Sequence, residues 1–142
     1  MKYTKEVIIN KDIQTVFDQL TNPEFMVEWQ ESLDSYEKNS EGKWVYNDSH
    51  SGKPMKIIED IIEKKSPNIF KVKYTTNGVI NLMDNELFEI DDNTTRWASY
   101  NEFQFTNLMM KIIGFLFRNS FKNQTKKDMN AFKSAIESKI NG

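Results

Sequence analysis

Asp48, His50, Asp84 and Glu86 are the side chains of this sequence whose types and spacing suit acid–base chemistry. Each pair is two residues apart, and residues two apart share one face of a β-strand. Asp84 and Glu86 can therefore sit side by side, and so can Asp48 and His50, the only histidine. Two readings of Asp84 and Glu86 stand. In one, both line a polar end of a cavity near Ser99 and Asn101, where they orient a ligand or act as acid and base. A bare buried charge costs roughly several kcal/mol after relaxation, so there they need partners or neutralisation. In the other, a β-bulge near Met83 swaps the faces. Met83 and Leu87 then point inward and the carboxylates meet water. His50 stands two residues before Gly52, which fits an exposed strand end as well as a base.

Other chemistries find less support. A single histidine with scattered carboxylates lacks the clustered ligands that zinc requires, so no metal is expected. The chain has no cysteine, which excludes disulfides, thiolate metal sites and cysteine nucleophiles together. No Gly-x-Ser-x-Gly elbow occurs, and the five glycines are too dispersed to cradle a phosphate. No catalytic residue and no cofactor is assigned.

At 142 residues the chain reads as one domain, 1–142, able to bury a core. Its 19 basic and 21 acidic residues give no reason to expect nucleic acid. From Asn107 onward, however, seven basic residues face two acidic ones. A solvated basic helix face explains this, and an anionic partner or membrane surface is the alternative. The first residues, Met1-Lys2-Tyr3-Thr4-Lys5-Glu6, are too charged for a signal peptide. No apolar run approaches the ~20 residues of a bilayer span. The expectation is a cytoplasmic protein without stable membrane insertion.

The elements that would position these groups follow from periodicity. Tyr3–Ile9 reads as a strand, with Asn10 as cap for a helix whose Ile13, Val16, Phe17 and Leu20 share one face. Asn22 and Pro23 start a second short helix, with Phe25, Met26 and Trp29 amphipathic. Strands follow at Leu33–Lys38, Trp44–His50, Met55–Glu63, Ile69–Thr75, Val79–Ile90 and Thr94–Phe105. Asn77-Gly78 is the strongest hairpin signal among their turns. Ile57–Glu63 would also suit a helix, and its hairpin neighbours favour a strand. Asn107–Ile140 is one long helical pattern. These elements predict an α+β arrangement, an antiparallel sheet with helices gathered on one face.

Several stretches also resemble a known superfamily. Ile8-Ile9-Asn10-Lys11-Asp12-Ile13-Gln14-Thr15-Val16-Phe17, Leu20-Thr21-Asn22-Pro23 with Trp29, and Asn93-Thr94-Thr95-Arg96-Trp97 are similar to motifs of the START-like or Bet v 1-like (SRPBCC) proteins. The bacterial polyketide-cyclase/dehydrase-like members are the nearest pattern. Lys11-Asp12 replace the usual proline of the first helix, and no proline follows Trp29. The resemblance implies a helix-grip fold, a curved sheet of about seven strands wrapped around a long C-terminal helix over a cavity. Members bind lipids, sterols, polyketides, quinones or hormones, and only some are enzymes, so the fold does not fix the activity.

Strand alternation nominates the cavity wall. Thr95, Trp97, Ser99, Asn101, Phe103 and Phe105 share one face, as do Phe70, Val72 and Tyr74, and Trp44 and Tyr46. In the strand before the last, Ile80, Leu82, Phe88 and Ile90 share a face with Asp84 and Glu86. The candidate ligand-binding set is Trp29, Trp44, Tyr46, Phe70, Val72, Tyr74, Leu82, Glu86, Phe88, Trp97, Ser99, Asn101, Phe103, Ile113 and Phe117. From Phe121 to Ile140 the C-terminal pattern keeps one apolar stripe. Leu108–Phe117 is apolar nearly all round, so Met110, Ile112, Phe115 or Phe117 must face a cavity mouth, a second protomer or a membrane. Gly114 weakens this helix by about 1 kcal/mol relative to Ala, which suits a break or hinge.

Three functions compete. The first is non-catalytic binding of a small apolar or amphipathic molecule, lipid-, polyketide- or quinone-like. The second is a cyclase, dehydratase or hydrolase using Asp84, Glu86 or His50. The third is a co-chaperone-like module docking through Asn107–Arg118, and the same segment offers a homodimer contact.

Overall fold

Asp12, not Asn10, starts the first helix. Its carboxylate accepts from Thr15 N at 3.0 Å, while the Asn10 backbone N–H donates to Glu137 Oε2 at 2.7 Å. In the computed structural model, which describes residues 1–49 and 54–139, this helix (α1, Ile13–Leu20) follows an edge strand, β1 (Lys2–Ile9). Asn22 caps α2 (Pro23–Trp29) by accepting from Glu24 N at 3.1 Å, with Pro23 in the first turn. Val16, Phe17, Leu20 and Phe25 are the buried faces of this helix pair.

Six strands then run back and forth: β2 (Leu33–Lys38), β3 (Trp44–Asp48), β4 (Met55–Lys65), β5 (Ile69–Thr76), β6 (Val79–Asp91) and β7 (Thr94–Phe105). With β1 they form one antiparallel sheet in the order β1-β7-β6-β5-β4-β3-β2. Only β1 pairs out of sequence, alongside β7, so the chain needs no crossover within the meander. Ile57–Glu63 lies within β4, a strand, as its hairpin neighbours predict. Gly78, at φ +73°, makes the two-residue turn between β5 and β6.

The C-terminal run is two helices, α3 (Leu108–Leu116) and the long α4 (Arg118–Ser138). They meet at Phe117, where φ −109° and ψ 23° leave the helical region. Gly114 is not the break. A Cβ there would lie 2.5 Å from the Phe105 ring, so this glycine lets α3 lie close against the end of β7.

Between sheet and α4 lies the core. Val7, Ile9, Phe70, Val72, Leu87 and Trp97 from the sheet meet Met129, Phe132 and Ile136 from α4. The Phe132 ring sits edge-on to Trp97, Trp29 and Phe25 at centroid distances of 5.2, 5.8 and 5.7 Å. Such edge contacts add about 0.5–1.5 kcal/mol each beyond area burial. Lys133 Nζ donates to Ile8 O at 2.6 Å and Lys126 Nζ donates to Glu6 O, fixing α4 along β1.

Candidate ligand cavity

A cavity of about 310 Å³ remains beside this core, under the N-terminal half of α4. Its wall takes Tyr46 and Ile57 from β3 and β4, Phe70, Tyr74 and Thr76 from β5, and Val79, Asn81, Met83 and Asn85 from β6. Trp97, Asn101 and Phe103 come from β7, and Phe121, Gln124, Thr125, Asp128 and Met129 from α4. Leu20, Met26, Trp29, Gln30 and Leu33 close the end near α1 and α2.

Of the nominated residues, Trp29, Tyr46, Phe70, Tyr74, Trp97, Asn101 and Phe103 thus stand on the wall. Val72 and Ser99 are buried on the inner face but belong to the packing behind it. Trp44 packs edge-on against Tyr36, centroids 5.4 Å apart, outside the cavity. Leu82, Glu86 and Phe88 lie on the opposite face of the sheet. Phe88 is covered there by Arg96, whose guanidinium lies 4.0 Å from the ring centre. Ile113 and Phe117 also lie away from the cavity. Phe117 terminates α3 with its side chain exposed.

The face of β6 has a definite physical cause. In the pairing with β7 a bulge falls at Ile90, between Glu89↔Thr95 and Asp91↔Thr94. It sets Leu87 opposite Trp97 and Met83 opposite Asn101. Past that point the register is unbroken, so the bulge lies at Ile90 rather than near Met83. Asp84 and Glu86 are consequently exposed on the outer face, with Asp84 beside Lys71 and Tyr100. Of the two readings, the inward acid–base pair does not form, and Met83 and Leu87 face inward as in the other, with the bulge at a different place. His50 lies outside the described residues.

Polar groups line or back the cavity instead, and of these the sequence reading missed Asn81, Asn85, Glu59 and Asp128. Asn85 Oδ1 accepts from Trp97 Nε1 at 2.9 Å, and its Nδ2 donates to Phe70 O at 3.2 Å. Asn101 Nδ2 donates to Ser99 Oγ at 3.1 Å, and its Oδ1 accepts from Asn81 Nδ2 at 3.3 Å. These pairs hold the indole and amides in fixed orientations while satisfying their buried atoms. Glu59, 5 % exposed, accepts from the hydroxyls of Tyr74 at 2.9 Å and Tyr46 at 3.4 Å. Burial raises its carboxyl above the usual range, against the lowering effect of the two tyrosines. Burial likewise raises both phenols, and the neighbouring carboxylate adds to this. On α4, burial raises Asp128, which accepts from Gln124 Nε2 at 2.9 Å.

The hydroxyl of Thr76 is different. Thr76 lies on the wall, and its hydroxyl is buried with no hydrogen-bond partner among the described residues. Tyr46, Tyr74, Asn81, Asn85, Trp97, Asn101, Gln124, Thr125 and Asp128 are all hydrogen-bonded to neighbours.

No protein-family model matches the chain, and no curated protein matches its sequence. Solved structures do match. A conserved protein from Geobacillus kaustophilus superposes with a TM-score of 0.82 at 14% identity, covering 96% of this chain and 95% of that one. A START superfamily protein from Mycobacterium smegmatis gives 0.74 at 9% identity, covering 96% and 97%. The fold is START-like. A protein from Arthrobacter aurescens, at 0.77 and 12% identity over 99% of this chain and 88% of that one, shares it. In this START-like fold the sheet grips α4, and the cavity lies in the space between them.

Proposed function

We propose that this protein binds a small apolar or amphipathic molecule, lipid-, polyketide- or quinone-like, in the cavity between sheet and α4, without transforming it. The observation that carries this reading is the cavity itself. It measures about 310 Å³, and seven of its wall residues are aromatic. That size sits at the lower end of the roughly 300–1,000 Å³ of small-molecule sites, and apolar walls with few polar anchors are their usual make-up.

Native mass spectrometry of freshly purified protein, followed by titration with an environment-sensitive apolar dye, tests the reading. The expected result is a co-purifying compound or saturable dye binding that Met83→Trp abolishes by filling the cavity. Dye binding unaffected by Met83→Trp in a folded protein would remove the cavity from consideration.

The apolar surface of α3 supports a second, compatible reading, self-association into a homodimer. Leu108, Met109, Ile112, Phe115 and Leu116 are all exposed there, and exposed apolar patches commonly mark interaction sites. Sedimentation velocity with Leu108→Ser/Phe115→Ser decides it, since a dimer through α3 becomes a monomer in that variant.

A further inference from the structure

The charges around the cavity are one-sided. Among the described residues its wall holds no Lys, Arg or His, and its only charged member is Asp128. A second carboxylate, Glu59, lies behind the wall tyrosines Tyr46 and Tyr74. Neither carboxylate has an ion-pair partner among the described residues. Two lysines of α4 are held away from the cavity: Lys126 donates to Glu6 O, and Lys133 to Ile8 O and Glu137.

Aromatic side chains add to this asymmetry. Trp29, Trp97, Phe103 and Phe121 stand on the same wall as Asp128. An aromatic face attracts a cation through its quadrupole, by about 0.5–2 kcal/mol according to desolvation. A buried ammonium loses its hydration but regains a carboxylate and several rings. A buried carboxylate ligand loses its hydration and meets only amide and hydroxyl donors, with Asp128 repelling it.

We propose that the cavity selects an apolar molecule carrying a protonated amine and rejects the corresponding carboxylate. This rests on the cavity being the binding site, as proposed above, and specifies the chemistry of its ligand. Asp128 takes the ammonium, the aromatic wall takes the apolar body, and the tyrosine oxygens, already donating to Glu59, remain acceptors for further N–H or O–H groups.

A matched set of probes tests this: 2-(1-naphthyl)ethylamine, 2-(1-naphthyl)ethanol and 1-naphthylacetate, each titrated calorimetrically into the full chain at pH 7. The amine is expected to bind tighter than the alcohol, and the alcohol tighter than the carboxylate. Amine and carboxylate should differ by about tenfold or more, the scale of one charge-assisted hydrogen bond. Asp128→Asn should cost the amine about tenfold and leave the alcohol unchanged, so alcohol binding doubles as the check that the variant is folded. If Asp128→Asn fails to fold, the order of the three probes on the unmodified protein still decides. Equal affinities, or a preference for the carboxylate, overturn the selectivity and leave the cavity reading standing. No binding of any of the three at millimolar concentration overturns both.

Discussion

The two C-terminal helices invert the usual relation between apolar sequence and burial. α3 is much the more apolar, yet Leu108 is 73 % and Phe115 67 % exposed. α4 is largely polar, yet Met129 is 1 % and Phe132 0 % exposed. The difference lies in what each helix reaches. α4 runs along β1 and over β7 to α2, so its single stripe meets the sheet on one side and the helix pair on the other. α3 touches the end of β7 through Gly114 on Phe105, leaving most of its circumference without a partner among the described residues. Hydrophobic composition drives burial only where the topology supplies a second surface.

Truncating the best-buried ring of α4 is the strongest attack on this contrast. Phe132→Ala should destabilise by roughly 3–5 kcal/mol in denaturant titration, because three aromatic partners cannot collapse into the gap. A loss below about 1 kcal/mol would mean that α4 is not held by its stripe.

Gly114→Ala comes next. A hinge glycine would gain about 1 kcal/mol on becoming Ala. Here the added methyl strikes the Phe105 ring, and overpacking of this kind costs about 1–3 kcal/mol. A net loss of stability is expected, and a net gain would restore the hinge.

Burial of α4 should also show in titration. Burial raises Asp128 above its ordinary 3.8. The folded state therefore holds this proton at pH values where the unfolded chain has released it, and stability falls as pH rises from 3.8 towards the folded value. Asp12 and Glu137 are shifted down, so their contributions are lost in the opposite direction, as pH falls. Comparing stability against pH for Asp128→Asn and the unmodified chain isolates the first effect. Parallel curves would place Asp128 in solvent.

The smallest change belongs to α3. Leu108→Ser/Phe115→Ser should alter the stability of the monomer by no more than about 0.5 kcal/mol per site, the usual range for exposed positions. A large thermal shift that depends on protein concentration would instead show that these side chains are covered by a second copy.

Much of the fold was legible in the sequence because the responsible interactions are local. Turn residues such as Asn77-Gly78, the Asn22-Pro23 helix start and strand alternation act within a few residues, and they located every strand to within two residues at either described end. The face of β7 was also readable, since Trp97, Phe103 and Phe105 mark it plainly. β6 misled, because its outer face carries Ile80, Leu82 and Phe88 while its inner face includes Asn81 and Asn85. A usable signal did exist. The two-residue turn at Asn77-Gly78 sets Tyr74 opposite Asn81 and Phe70 opposite Asn85, so an inward Phe70 and Tyr74 require inward asparagines. The same counting across Trp44↔Glu59 would have found Glu59.

By itself the sequence determined the order of elements, the antiparallel meander and the amphipathic stripe of α4, because capping, turn geometry and side-chain period are properties of neighbouring residues. Tertiary structure alone decided the bulge that aims β6, the break at Phe117 and the one-sided charge of the cavity. Those depend on which distant groups meet: Asn85 becomes an acceptable wall residue only once Trp97 donates to it, and Asp128 is the one charge on the wall among the described residues, while Lys126 and Lys133 bond to β1.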